Sequence, residues 1–208
     1  MKVIARKILV GVILLLFVIV AITIINNNNR QHSIFEYIQS EEIYPSLNDG
    51  DIIFRLGDRV WSNYFKNLSQ NDKKFSHLGI IRKKDNIVTV IHSEGSTEND
   101  YVKEVSLNDF ISIAQSIGIY RLKNIENEIV SEIALEYKNQ AFDWQFDMEN
   151  DDKIYCTELL YIILKRLDPN IKLNTLWIKE IGKSIIPLDI YTQTEYFTEI
   201  GYWRMNIK

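Results

Sequence analysis

Cysteine is almost absent from this chain. Its 208 residues contain one, Cys156, which excludes an internal disulfide and any CxxC zinc or redox site. Three histidines, His32, His77 and His92, leave little material for a metal cluster, and the sequence implies neither a metal nor a cofactor. Positive charge is not in excess. Against 28 acidic residues stand 24 Lys and Arg, for a net charge of −4, so nothing points to nucleic acid as a partner. Internal repeats and low-complexity domains are missing too. What is present, 46% apolar and 25% charged residues, is a globular composition long enough for one domain with a proper core.

Charge is also missing from one long run, Ile8 to Ile25, which follows Lys2, Arg6 and Lys7. A helix of that length just spans the hydrocarbon core of a bilayer. The positive flank predicts a cytoplasmic N-terminus and a domain outside the cytosol, in a cell envelope. The run ends in NNNNR without a small-residue cleavage site, which favours an uncleaved signal anchor over a removed signal peptide. The expected organisation is therefore an anchor and polar spacer over 1–30 and a working domain over 31–208.

Within that domain, His32–Ser40 reads as a short helix. Leu47–Gly50 is a turn signal, and Asp51–Arg55 is a strand. Trp61–Leu68 reads as a helix with an aromatic face. Ser76–Arg82 and Ile87–His92 are β-rich runs that form a hairpin around Lys83–Asn86. Tyr101–Val105 and Ile117–Leu122 read as strands and Leu107–Ala114 as a short helix. Ile125–Asn139 has helical periodicity, and Phe142–Lys153 is an acidic, aromatic loop. A more apolar helix covers Thr157–Leu167, and the segment beyond it carries no clear pattern. The mixture is α+β.

Cys156 opens that last helix. Leu160, Ile163, Leu164 and Leu167 share its face, which predicts a cysteine on the apolar side. Buried cysteines are commonly small hydrophobes with inert thiols. The first turn, however, offers unpaired N–H groups and the positive end of the helix dipole, and both favour the thiolate that acts as a nucleophile. A cysteine hydrolase then needs a base beside the sulfur and a group to orient that base. The hairpin supplies candidates. A four-residue loop pairs Arg82 with Ile87 and sets His77 opposite His92. A two-residue turn at Asp85–Asn86 sets His77 opposite Glu94. Opposed side chains have Cβ atoms about 4.5–5.5 Å apart, so either partner is within reach. Gly79, on the same face as His77, leaves room for a backbone or a substrate.

NDGDIIFR, FSHLGIIR, VIHSEG and FDWQFDMENDDKIYCTELLY, in that order, resemble the YiiX/YebB-like group. These are circularly permuted papain-fold enzymes related to NlpC-type cell-wall peptidases and to lecithin:retinol acyltransferase. The resemblance covers about Leu47 to Leu167. It implies an antiparallel sheet packed against the core helix that carries the cysteine, here with one N-terminal transmembrane helix added. It implies Cys156 as nucleophile and His77 as general base. The third residue is His92 or Glu94, and Tyr155, Ser76 and Gly79 lie near the substrate or oxyanion. The implied activity is a membrane-anchored cysteine hydrolase, an amidase or peptidase working through a thioester on cell-wall peptide or acyl-lipid substrate. The alternatives are acyl transfer, or a non-catalytic lipid- or peptide-binding module on the same scaffold. Trp61, Tyr64, Phe65, Trp144 and Phe146 are candidates to line an apolar groove, and Asp51 is read as holding its turn.

Overall fold

The computed structural model describes residues 35–36, 38–95, 100–149, 152–193, 195–204 and 206–207. In chain order its elements are β1 (Phe35–Glu36), α1 (Ser40–Ile43), a 3-10 turn (Tyr44–Ser46), β2 (Ile52–Gly57), α2 (Val60–Leu68), β3 (His77–Lys84), β4 (Ile87–Glu94), β5 (Tyr101–Ser106), α3 (Leu107–Ile111) and β6 (Ala114–Leu122). There follow α4 (Glu128–Glu136), α5 (Cys156–Leu167), β7 (Leu176–Ile178), β8 (Lys183–Ile185), α6 (Asp189–Thr192), β9 (Phe197–Arg204) and β10 (Asn206–Ile207). Tyr37–Met205 make one compact unit. Residues 1–36 and 206–208 make another, whose described part is β1 paired antiparallel with β10.

Six strands form the main sheet in the order β5-β4-β3-β2-β6-β9, with antiparallel neighbours throughout. Period-2 alternation gives it two apolar faces. Ile52, Phe54, Leu78, Ile80 and Ile91 meet Val130 and Ile133 of α4 and Leu160, Ile163 and Leu164 of α5. Ile53, Ile81, Val90, Ile117 and Ile119 meet Leu107, Phe110 and Ile111 of α3. Each fully buried Ile or Leu contributes about 1.5–3 kcal/mol of apolar burial, so both faces hold the sheet.

Several expectations are corrected. The transmembrane helix expected over Ile8–Ile25 lies outside the described residues, and no helix among those described is long and apolar enough to cross a membrane. Among the described residues the fold class is accordingly α+β with no membrane-spanning helix: α5, at 12 residues, falls well short of the roughly 20 a span needs. Of the helix expected over His32–Ser40, the described part holds strand β1, and α1 starts only at Ser40. The segment after Asp168 resolves into the β7–β8 hairpin, α6, and edge strand β9 of the main sheet. Asp51 does hold its turn: it accepts from Asn48 N–H at 2.7 Å and pairs through both carboxylate oxygens with Arg121.

The hairpin settles on its tight form. Lys84 faces Ile87 and Ile80 faces Ile91, so Asp85 and Asn86 are the turn, both at positive φ (50° and 64°). That backbone matches the twist of the flanking strands, and Asp and Asn tolerate it better than other side chains. Continuing the register by three residues sets His77 against Glu94, and by one sets Gly79 against His92.

Candidate functional site

Helix α5 starts from Tyr155, an extended cap residue (φ −96°, ψ 171°) whose N–H donates to Glu158 Oε2 at 3.2 Å. Cys156 follows in the first turn, half-buried rather than fully covered. It lines a cavity of about 340 Å³ together with His77, Ser76, Arg55, Glu94 and Tyr155. Burial pushes the thiol up to about 11, against the pull of the Leu78 and Thr157 N–H groups, the Arg55 charge and its own N–H. Desolvation of a charged sulfur thus works against the thiolate expected from the helix terminus.

His77 begins β3, one residue before Leu78. Its Nε2 lies 2.9 Å from His92 Nδ1, and one proton is shared between them. Which ring carries it depends on the tautomers. The contact is diagonal across the hairpin, because the in-register partner of His77 is Glu94. Gly79 makes the diagonal possible. A Cβ there would stand 2.4 Å from Val90 Cγ1 and 3.2 Å from His92 Cβ. Gly79 is not among the residues lining the cavity; of the two uses the sequence left open for its space, a backbone or a substrate, the space goes to β4.

His92 is buried (2% exposed) behind His77 and does not line the cavity. Its Nε2 has no hydrogen-bond partner, and its ring stands edge-on to Phe110 at 5.1 Å. Burial, with the Arg55 charge adding to it, pushes His77 down to about 3. His92 is held well below its ordinary range by burial, then by His77 and Arg55. Both rings are thus neutral at neutral pH.

Arg55 completes the floor. Strand β2 sets it opposite His77, and its side chain is 5% exposed. One guanidinium nitrogen donates to the Phe110 carbonyl at 2.7 Å and another to Glu94 Oε1 at 2.5 Å. The group lies 4.3 Å above the Phe110 ring. The other Glu94 oxygen pairs with Lys103 at 2.8 Å. Burial works against the Glu94 charge, but His77, Arg55, His92 and Lys103 outweigh it and hold the carboxyl well below the usual carboxylate range. Neither Arg55 nor Phe110 stood out in the sequence. The available signal was a charge on the apolar face of IIFR, where Ile53 and Arg55 share a side.

The other expected residues fall into place. Ser76 lines the cavity, but its hydroxyl accepts from Gly57 N–H at 3.1 Å and serves the β2–β3 end. The Tyr155 ring is buried, and its hydroxyl accepts from Ile186 N–H at 3.4 Å. All five candidate groove aromatics line the cavity. The segment after α5, whose pattern the sequence left blank, adds Ile185, Ile186 and Leu188 to the wall.

Residues 46–184 match the family model described as permuted papain-like amidase enzyme, YaeF/YiiX, C92 family. No curated protein matches. The chain is similar in fold to a solved structure described as metalloprotein yiiX from Escherichia coli O157:H7. The TM-score is 0.63 at 16% identity, over 76% of this chain and 99% of that one. The match to the family model spans well over half of the sequence, and the chain belongs to the permuted papain-like amidases of the YaeF/YiiX family.

Proposed function

We propose that the protein is a cysteine amidase in which Cys156 is the nucleophile, His77 the base and His92 the residue that orients the base. The observation that carries this reading is the shared cavity of Cys156 and His77, with Nε2 of His77 held by His92 at 2.9 Å. With Nε2 engaged by His92, Nδ1 is the nitrogen left to accept the thiol proton. His77 Nε2–H then donates to His92 Nδ1. Thiol and imidazole start neutral, and the proton moves as sulfur attacks the acyl carbon. The developing oxyanion can be met by N–H groups of the first turn of α5. The proton passes from His77 to the leaving amine, a thioester remains on Cys156, and water releases the acid. Glu94 is the second candidate for the orienting role, but its two oxygens are engaged by Arg55 and Lys103.

The solved neighbour is described as a metalloprotein, which invites a test of this chain's donors. His77, His92 and Glu94 offer ligand atoms within 4.8 Å of one another. They do not fit a resident divalent cation. Glu94 is already shared between two cations, the buried Arg55 guanidinium repels a third, and the two imidazoles are bonded to each other. No step here uses a metal. For substrate, the family resemblance supports cell-wall peptide or acylated lipid. The basic residues ahead of the apolar run Ile8–Ile25 support a place of action outside the cytosol, which protease shaving of intact cells would check.

The rate of thiol alkylation against pH tests the mechanism. A neutral resting pair gives slow alkylation at pH 7, rising about tenfold per pH unit toward pH 10. A thiol pKa below 7 that returns to the ordinary range in His77→Ala would replace the neutral pair by a resting ion pair. Unchanged turnover in Cys156→Ala would remove the amidase reading altogether.

A further inference from the structure

His77, His92 and Arg55 converge on one side chain that does not itself line the cavity. Phe110 lies in α3 and is 1% exposed. The His77 ring stacks on it at 5.8 Å with 29° between the planes. The His92 ring stands edge-on to it at 5.1 Å and 86°. The Arg55 guanidinium lies 4.3 Å from its centroid and donates to its carbonyl at 2.7 Å. At five residues, α3 is too short to hold this ring by helix propensity. It is fixed instead by the Ser106 hydroxyl, which accepts from Asp109 N–H at 3.0 Å, and by packing with Ile53, Ile81 and Val90. The ring thus reaches the histidines from the sheet face opposite the one that packs on α5.

The ring bears on the proton that the two histidines share. Each neutral imidazole carries one proton, and the Arg55 charge opposes a second on either. Two arrangements satisfy the 2.9 Å contact. In the first, His77 Nε2–H donates to His92 Nδ1, and His92 carries its own proton on Nε2. In the second, His92 Nδ1–H donates to His77 Nε2, His77 carries its proton on Nδ1, and His92 Nε2 is bare. Only the first leaves His77 Nδ1 bare. The arrangements also differ at His92 Nε2, which is buried and has no hydrogen-bond partner. Glu94 does not serve it, because its two oxygens are engaged by Arg55 and Lys103. The face of an aromatic ring is negative, so it attracts an N–H and repels a nitrogen lone pair.

We propose that Phe110 is a positioning residue: its ring receives the His92 Nε2–H and so selects the arrangement in which His77 Nδ1 is free to take a proton. The use of that nitrogen as a base rests on the amidase reading above. The ring itself neither gives nor takes a proton. Each imidazole keeps its own while the thiol passes one to His77 Nδ1, and that proton then leaves on the amine.

Nitrogen NMR of the full-length protein with isotope-labelled histidine decides it. The chain has three histidines, so His32→Gln and His92→Gln assign the signals. At neutral pH the expected spectrum shows His77 with Nδ1 bare and Nε2 protonated, and His92 with Nε2 protonated. The His92 Hε2 signal should be moved to high field by the Phe110 ring current. Phe110→Leu keeps an apolar side chain but no aromatic face. In it the ratio of the first arrangement to the second should fall by about threefold to tenfold. Turnover of a fluorogenic alanyl amide should fall with the fraction of His77 that loses its bare Nδ1. A bare His92 Nε2 in the unsubstituted protein overturns the proposal without need of a variant. So does a ratio that is unchanged in Phe110→Leu. A ratio that moves while turnover does not follow it keeps the hold of Phe110 on the pair and removes His77 Nδ1 as the base.

Discussion

The floor and the wall of the cavity are held by different forces. The floor is fixed by directional contacts on neighbouring strands: Arg55 to Glu94, Glu94 to Lys103, His77 to His92. Each side chain is placed by sheet register, and each is largely or wholly shielded from water. Much of the wall is held by ring-to-ring contacts, with the Trp144 hydrogen bond to Asp100 beside them, and its Trp61 and Trp144 stand more than half exposed. Strand register tolerates little displacement, because a one-residue slip moves every side chain to the other face. Ring packing on a helix and a loop tolerates more. The groups proposed to react thus lie among contacts set by strand register, and the aromatic lining among contacts set by ring packing.

Breaking the floor at its reacting groups should have the largest effect. Cys156→Ala and His77→Ala should each lower kcat by about 10⁴-fold or more, with circular dichroism and the urea midpoint little changed. Glu94→Gln tests the floor as a structural unit. It leaves the buried Arg55 guanidinium without its counter-charge, a loss of about 3 kcal/mol once the Lys103 pairing and the partial exposure of Glu94 are allowed for. Urea unfolding measures it, and Arg55→Met together with Glu94→Gln should cost less than the two single losses combined. Equal and additive losses would show that the pair is not coupled.

Gly79→Ala separates orientation from chemistry. Its Cβ would press on Val90 and His92, which should turn the His92 ring from His77 and lower kcat by about tenfold to a hundredfold with KM little changed. An unaltered kcat would mean that His92 does not orient the base. Acid should act on the floor more than on the wall. His77 is pushed down to about 3 from an ordinary 6.5, so the folded state binds its proton more weakly than the unfolded chain. Its contribution to stability is complete above pH 6.5 and is lost as pH falls toward 3. Urea midpoints between pH 7 and 4 check this, and in His77→Gln the slope should flatten. The smallest effect belongs to the wall: Trp61→Ala should change stability by less than about 0.5 kcal/mol, read from the thermal midpoint.

Much of the floor was legible in the sequence. The period of Leu160, Ile163 and Leu164 marked the helix that begins at Cys156, and the turn residues Asp85 and Asn86 limited the hairpin to a few registers. These signals are short-ranged, so they survive without a three-dimensional context. The third partner of His77 was narrowed to His92 or Glu94 but not decided, since the turn gives the in-register neighbour and the hydrogen bond is diagonal. Arg55 stayed hidden because its partner Glu94 is 39 residues away. Which of its two uses Gly79 serves, room for a backbone or for a substrate, stayed open for a related reason: what fills the space of a missing Cβ is set by the neighbouring strand.

The sequence by itself determined the α+β class, the strands and helices of the middle of the chain, and the histidine hairpin that shares a cavity with the one thiol. Tertiary structure decided that His77 Nε2 meets His92 Nδ1 rather than Glu94, that burial works against charge on the thiol and on both imidazoles, and that the segment after Asp168 adds Ile185, Ile186 and Leu188 to the cavity. The division has a physical cause. Periodicity and turn chemistry act over a few residues, whereas desolvation and buried charge depend on every group that the fold brings within a few ångströms of the site.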